Sequence, residues 1–167
     1  MKNIFSPRIE ESEFQDRRKK LRFLMEENNI DVVVAYADDR ATFGQQFSRY
    51  YFNYQPHFEP ACIIVPINDK SFIVTGPESE EFVYNNSYCS NVKIADIFTH
   101  PNEEYPFHKI QSFSEILLKF SNVSNSRKIK VGIAGSEMLP FKYWQKINEI
   151  EIAEISEVDE MLLKQRS

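Results

Sequence analysis

Short runs of apolar, β-branched residues alternate along this chain with longer segments of helical periodicity, and this alternation restricts the fold more than any other feature. Residues 30–36 form the first such run, which is typical of a strand buried on both faces of a sheet. Residues 10–28 come before it and place Phe14, Leu21 and Met25 at helical spacing between charged residues. Alternating helices and strands predict an α/β sheet that carries helices on both faces.

The rest of the chain continues this pattern. Two apolar runs, 61–65 and 71–74, flank a turn at Asn68-Asp69-Lys70, which predicts a hairpin. Further helices are expected at 78–85, 112–120, 140–147 and 158–166, a short one within 41–52, and strands at 92–97, 130–134 and 151–155. We therefore predict one domain over residues 1–167, a three-layer α/β/α fold with a mixed central sheet of about five to six strands.

Charge and cysteine content restrict the partners and the compartment. The net charge of −5 argues against nucleic acid as a partner, because binding phosphates requires clustered Lys and Arg. The basic residues 17–20 lie inside the first predicted helix and are interpreted as a solvated helix face. Cys62 and Cys89 are too few for a disulfide scaffold, so we expect two free thiols. With no visible leader and no membrane-length apolar run, we expect a cytoplasmic protein without a membrane partner.

The sequence contains none of the common catalytic or cofactor-binding motifs. The four glycines form no phosphate-binding loop or dinucleotide fingerprint, and no serine lies in a nucleophile elbow. Four possible metal ligands remain, and an autonomous hydrolase would have to use them: Asp38, Asp39, His57 and Glu59. Metal sites need three or four converging ligands with supporting groups. We interpret these residues as solvated loop residues and expect no catalytic, cofactor or metal site in this chain.

Several segments resemble the amino-terminal domain of creatinase/prolidase-type enzymes, the superfamily of Xaa-Pro aminopeptidases, prolidases and creatine amidinohydrolases. The acidic first helix leads into Asn-Ile-Asp-Val-Val-Val at 29–34, and an aromatic segment follows at 49–52. Gly-Pro-Glu-Ser-Glu at 76–80 also matches the family pattern. Residues 158–167 resemble the helix that connects this domain to the catalytic pita-bread domain. The resemblance covers nearly the whole chain.

The resemblance implies a non-catalytic domain of a hydrolase that contributes to dimerisation and active-site gating. The parent would be a metallo-aminopeptidase or prolidase, or an amidinohydrolase, and the implied partners are its own catalytic domain and a second copy in a homodimer. In the peptidase members two divalent metal ions are held by the catalytic domain, so this chain would carry none of their ligands. Residues 37–44 depart from the prolidase pattern Asn-x-x-Tyr-x-Thr-Gly-Phe, so the substrate stays open.

Candidate gating or interface residues fall in the stretch 40–59. Its aromatic residues are mixed with polar ones without a period of two or 3.6, a composition typical of protein–protein surfaces rather than core. An arginine there would bind a substrate carboxylate as a bidentate fork. The candidate set is Arg40, Arg49, Tyr51, His57, Phe58 and Glu59. The alternatives are a surface ion pair for the arginines, core packing for the aromatic residues, and a freestanding α/β protein-interaction module for the whole chain.

Overall fold

Helices and strands alternate throughout residues 9–40, 43–120, 128–151 and 153–165, which are the residues that the computed structural model describes. The helices are α1 (Glu11–Glu27), α2 (Gln46–Phe52), α3 (Glu80–Asn86), α4 (Phe113–Leu118), α5 (Phe141–Asn148) and α6 (Asp159–Lys164). The strands are β1 (Val32–Ala37), β2 (Ala61–Pro66), β3 (Phe72–Thr75), β4 (Val92–Ala95), β5 (Ile110–Gln111), β6 (Ile129–Ala134) and β7 (Ala153–Glu157). Short 3-10 helices cover Pro77–Ser79, Asp96–Phe98 and Ser136–Met138.

The strands form one mixed sheet in the order β5-β4-β3-β2-β1-β6-β7. β2 runs antiparallel to both β1 and β3, as the predicted hairpin requires, and every other neighbouring pair is parallel. The predicted fold class is therefore confirmed, although the sheet has seven strands instead of five to six. The strand that the sequence did not indicate is β5, whose two residues are too few to show a period.

The core lies on both faces of the sheet. On β1, Val33 belongs to the core beneath α1, α2, α3 and α6, whereas Val32 and Val34 belong to the core beneath α4 and α5. This division follows from the two-residue period of a strand, which sends successive side chains to opposite faces. The apolar residues of the four predicted strands 30–36, 61–65, 71–74 and 130–134 include the following buried ones: Val32, Val33, Val34, Ile63, Ile64, Ile73, Val131 and Ile133.

The basic run on α1 is only partly solvated. Arg17 Nη1 donates a hydrogen bond to the carbonyl of Tyr50 at 3.1 Å, and Arg18 donates to the carbonyl of Tyr51. The guanidinium of Arg18 also lies over the ring of Phe52, 4.6 Å from its centroid, and burial lowers the Arg18 pKa. The interpretation as a solvated face is therefore wrong for both arginines. They bind carbonyl groups in the last turn of α2, which have no partner within the helix.

The aromatic stretch is also partly core. Four of its aromatic residues are at most 7% exposed, so the expectation that the stretch lies outside the core is wrong for them: Phe47, Tyr51, Phe52 and Tyr54. The physical reason is that α2 packs against α1 and β1, and helical spacing turns one aromatic face inward. None of the helices in the described part of the chain combines the length and apolar character that crossing a bilayer requires.

Candidate functional site

Polar side chains collect at one edge of the sheet, where β1 and β3 end and β2 begins, and we call this the carboxyl edge. Ala37 pairs with Ala61, and Ala61 pairs with Thr75. This register brings the segments that follow β1 and β3 beside the segment that precedes β2. Open α/β sheets usually bind ligands beyond the carboxyl ends of their parallel strands, so this edge is the candidate functional site.

Tyr36 in β1 and Asp38 directly after it hold the Arg40 side chain at the carboxyl edge. Its Nε donates to Asp38 Oδ2 at 3.2 Å, and its Nη2 donates to Tyr36 Oη at 2.9 Å. The Tyr36 hydroxyl donates in turn to Asp38 Oδ2 at 3.0 Å. Burial raises the pKa of Tyr36, and the Asp38 carboxylate raises it further. The Arg40 side chain is nevertheless 69% exposed, so it presents a preoriented guanidinium to the solvent.

His57 and Phe58 lie next to this cluster, in the loop before β2. Their ring centroids are 4.2 Å apart, and His57 Nδ1 is 4.0 Å from Asp39 Oδ2. Phe58 has a φ of +68°, a backbone conformation that is unusual for a bulky residue, and its side chain is 74% exposed. The loop therefore presents an aromatic side chain to the solvent rather than burying it.

Glu59 is a buried carboxylate in the same loop. Its Oε2 accepts a hydrogen bond from the backbone N–H of Ser79 at 2.8 Å, whereas its Oε1 is buried without a hydrogen-bond partner among the described residues. Burial raises the Glu59 pKa, and the bonds from Ser79 oppose that shift. Gly76 makes room for the carboxylate, because a Cβ at that position would meet Glu59 Oε1 at 2.0 Å.

Three side chains that are distant in sequence converge around this carboxylate. One ligand atom each from Glu59, Glu78 and His100 lie within 4.8 Å of one another. Glu59 precedes β2, Glu78 lies in the 3-10 helix after β3, and His100 follows the 3-10 helix after β4. Glu78 and His100 are not among the residues predicted from the sequence, because their spacing matches no local metal-binding pattern. The only signal available was Gly76-Pro77-Glu78, which we had used only as part of the resemblance.

The remaining two candidates do not join these clusters. Arg49 Nη2 donates to Gln55 Oε1 at 2.6 Å on the exposed side of α2. Tyr51 is 1% exposed and donates a hydrogen bond to Gln165 Oε1 at 2.8 Å, which ties α2 to the end of α6. Of the six candidates, the fold thus brings Arg40, His57, Phe58 and Glu59 to the carboxyl edge and leaves Tyr51 inside the domain.

The strand arrangement is shared with solved peptidase domains. The N-terminal creatinase/prolidase-like domain of a Corynebacterium diphtheriae protein superposes with a TM-score of 0.56 at 13% identity, covering 87% of this chain and 95% of that one. The N-terminal domain of the cytoplasmic peptidase PepQ from Mycobacterium tuberculosis H37Rv gives a TM-score of 0.61 at 11% identity, with coverages of 90% and 98%. The chain has the fold of a creatinase/prolidase amino-terminal domain.

The same fold is also found within a longer chain. The prolidase from Pyrococcus horikoshii OT3 gives a TM-score of 0.60 at 16% identity, and 90% of this chain covers 35% of that one. The chain thus spans about a third of the length of that prolidase. No protein-family model and no curated protein sequence matches this chain. At such low identities the superpositions show a common fold alone, so the residues of the carboxyl edge must be judged on their own geometry.

Proposed function

We propose that this domain is the non-catalytic amino-terminal part of a creatinase/prolidase-type hydrolase, with α6 leading into the catalytic domain. The observation that carries the proposal is the pattern of coverage. The chain accounts for 35% of a complete prolidase but for 98% of the separately solved PepQ amino-terminal domain. In this role it contributes no catalytic residue. The parent's divalent metal ions would belong to the catalytic domain, and the cytoplasmic location of PepQ supports the same compartment here.

The carboxyl edge is the part of the domain that we propose to gate the active site. Arg40 is oriented by Asp38 and Tyr36 but keeps its guanidinium exposed, as binding to a substrate carboxylate requires. Guanidinium and carboxylate groups pair through two parallel hydrogen bonds, which fix orientation as well as charge. His57 and Phe58 lie in the adjacent loop and would form the wall of the entrance. Arg49, on the exposed side of α2, is a second arginine to test.

The same edge supports a role in dimerisation. Phe43, in the segment after β1, is 67% exposed, and Phe58, in the loop before β2, is 74% exposed. Exposed aromatic side chains with a nearby arginine are characteristic of the residues that dominate protein–protein interfaces. We propose that a second copy of the chain covers them, so that the gate of one subunit lies near the partner.

Kinetics of the full-length parent test the gate. We expect Arg40→Ala to lower kcat/KM for a dipeptide substrate by about tenfold or more, since hydrogen bonds to charged groups contribute about 1.5–3 kcal/mol. His57→Ala and Arg49→Ala are measured alongside it. The matched control is Lys70→Ala, because Lys70 is an exposed cation in the hairpin turn at the opposite edge of the sheet. Circular dichroism and metal content should stay constant in all four variants.

Two outcomes would contradict the proposal. Unchanged kcat/KM in Arg40→Ala, Arg49→Ala and His57→Ala would remove the gating role and leave a structural one. An antibody against the domain should detect a polypeptide much larger than 19.7 kDa in the source cells. A single band at 19.7 kDa would instead support a freestanding interaction module.

A further inference from the structure

We propose that Glu59, Glu78 and His100 form a binding site for a divalent transition-metal ion such as Zn²⁺ at the carboxyl edge. This inference does not depend on the proposed function, because it concerns residues of this chain alone. Their ligand atoms already lie within 4.8 Å of one another, although the three residues come from three separate segments. The sequence analysis expected no metal site, since no pair of these residues has a recognisable spacing.

The buried carboxylate of Glu59 is the observation that points to a ligand. The residue is 2% exposed, and its Oε1 has no hydrogen-bond partner among the described residues. A buried polar atom without a partner is destabilising, so such atoms are rare in folded proteins. Binding the Ser79 N–H explains the position of Oε2 but leaves Oε1 unsatisfied. A cation bound by the cluster would supply the missing partner.

Charge at the site also favours a cation. Glu59 and Glu78 contribute two carboxylates, and the Glu78 charge raises the Glu59 pKa in addition to the larger effect of burial. A divalent ion would neutralise the two carboxylates and be bound by the imidazole.

The donor set fits a borderline transition metal better than a hard one. Imidazole nitrogen and carboxylate oxygen together suit Zn²⁺, whereas Mg²⁺ and Ca²⁺ prefer oxygen ligands alone. Three protein ligands would leave at least one coordination position for water or another group. The site would therefore be an open one, facing the solvent on the side of Glu78 and His100, which are both exposed.

Only small side-chain movements are needed to close the site. Ligand atoms of a tetrahedral zinc ion lie about 3.4 Å apart when each bond is about 2.0–2.1 Å long. Glu59 is fixed by Ser79 and by the contact with Gly76, whereas Glu78 and His100 are exposed and can change rotamer. The backbone N–H of His100 donates a hydrogen bond to Tyr105 Oη at 3.3 Å, which restrains the backbone of the loop but not the imidazole.

Calorimetric titration of the full 167-residue chain tests the site. After removal of metals with EDTA and dialysis, ZnCl₂ should bind at one site and raise the Tm. His100→Gln and Glu78→Gln should each weaken Zn²⁺ binding by about tenfold or more. His108→Gln and Glu81→Gln are matched controls from the same region, and their affinity should stay within about twofold of the original. MgCl₂ should bind far more weakly than ZnCl₂.

Several results would overturn the proposal. The first is the absence of saturable Zn²⁺ binding, and the second is unchanged affinity in both His100→Gln and Glu78→Gln. A loss of binding in His57→Gln but not in His100→Gln would also contradict this ligand set. Glu59→Gln alone would not decide the question, because it alters a buried group. Glu78 and His100 are exposed, so their variants should fold and keep the test decisive.

Discussion

Gly76 is the single residue whose lack of a side chain most directly shapes the carboxyl edge. Its backbone has an ordinary φ of −84°, so conformational freedom is not the reason for glycine here. The reason is space, since a Cβ would lie 2.0 Å from Oε1 and 2.3 Å from Cδ of Glu59. Glu59 cannot retreat easily, because its other oxygen is bound to the Ser79 N–H. The glycine and the buried carboxylate therefore require each other.

We expect Gly76→Ala to lower the free energy of unfolding by about 1–3 kcal/mol, because overpacking a buried site forces neighbouring atoms to move. Urea denaturation measures the change. The control is Gly76→Ala in the Glu59→Ala background, where the opposing carboxylate is gone. There the alanine should cost much less, and the two substitutions should be strongly coupled. An equal cost of Gly76→Ala in both backgrounds would show that the contact with Glu59 is not what requires glycine.

At the scale of elements, β1 is the strand on which the rest of the sheet depends. It pairs antiparallel with β2 along its whole length and parallel with β6, so it is bound on both sides. All six of its residues are buried, because helices cover both faces of the sheet. β5 is the opposite case, a two-residue edge strand with an exposed and a half-buried residue.

Val33→Asp should therefore destabilise the domain by several kcal/mol, a large part of a total stability of about 5–15 kcal/mol. Val33 is 2% exposed and lies among apolar side chains, so an ionised carboxylate there would have neither water nor a partner. The matched control is Ile110→Asp on β5, where the side chain is 39% exposed and the cost should be below about 1 kcal/mol. Thermal unfolding at the same Tm for Val33→Asp and the unaltered chain would refute the central position of β1.

At the scale of the whole molecule, the two ends of the sheet differ in character. The carboxyl edge carries the exposed Phe43 and Phe58 beside Arg40, whereas the opposite edge carries the polar hairpin turn. The exposed rings of Phe43 and Phe58 are unfavourable in water unless something covers them.

We expect the isolated chain to self-associate weakly through the carboxyl edge. Sedimentation velocity over a range of concentrations should show a reversible shift towards the dimer mass. Phe58→Ser should weaken this association, because it removes an aromatic side chain that is 74% exposed at that edge. Phe23→Ser is the matched control, since Phe23 is 61% exposed on α1, away from the carboxyl edge. Equal weakening by both variants would indicate nonspecific hydrophobic contact instead.

The sequence by itself determined the elements and the fold class. Every strand except β5 has a local signature, such as the β-branched run of β1, and so does the first helix in the helical spacing of Phe14 and Leu21. These signatures do not depend on distant residues. The hairpin of β2 and β3 was equally local, because its turn lies between the two runs. The shortest strand, β5, was missed because two residues carry no period.

Only the tertiary structure decided which residues meet. The strand order places the segments before β2, after β3 and after β4 at one edge, and this alone brings Glu59, Glu78 and His100 together. Burial likewise depends on distant residues. From the sequence we predicted Tyr51 and Arg18 at the surface, but the packing of α2 against α1 removes both from full contact with water. A sequence pattern reports the period of one segment, whereas a site depends on the register between segments, which is fixed only when the whole sheet packs.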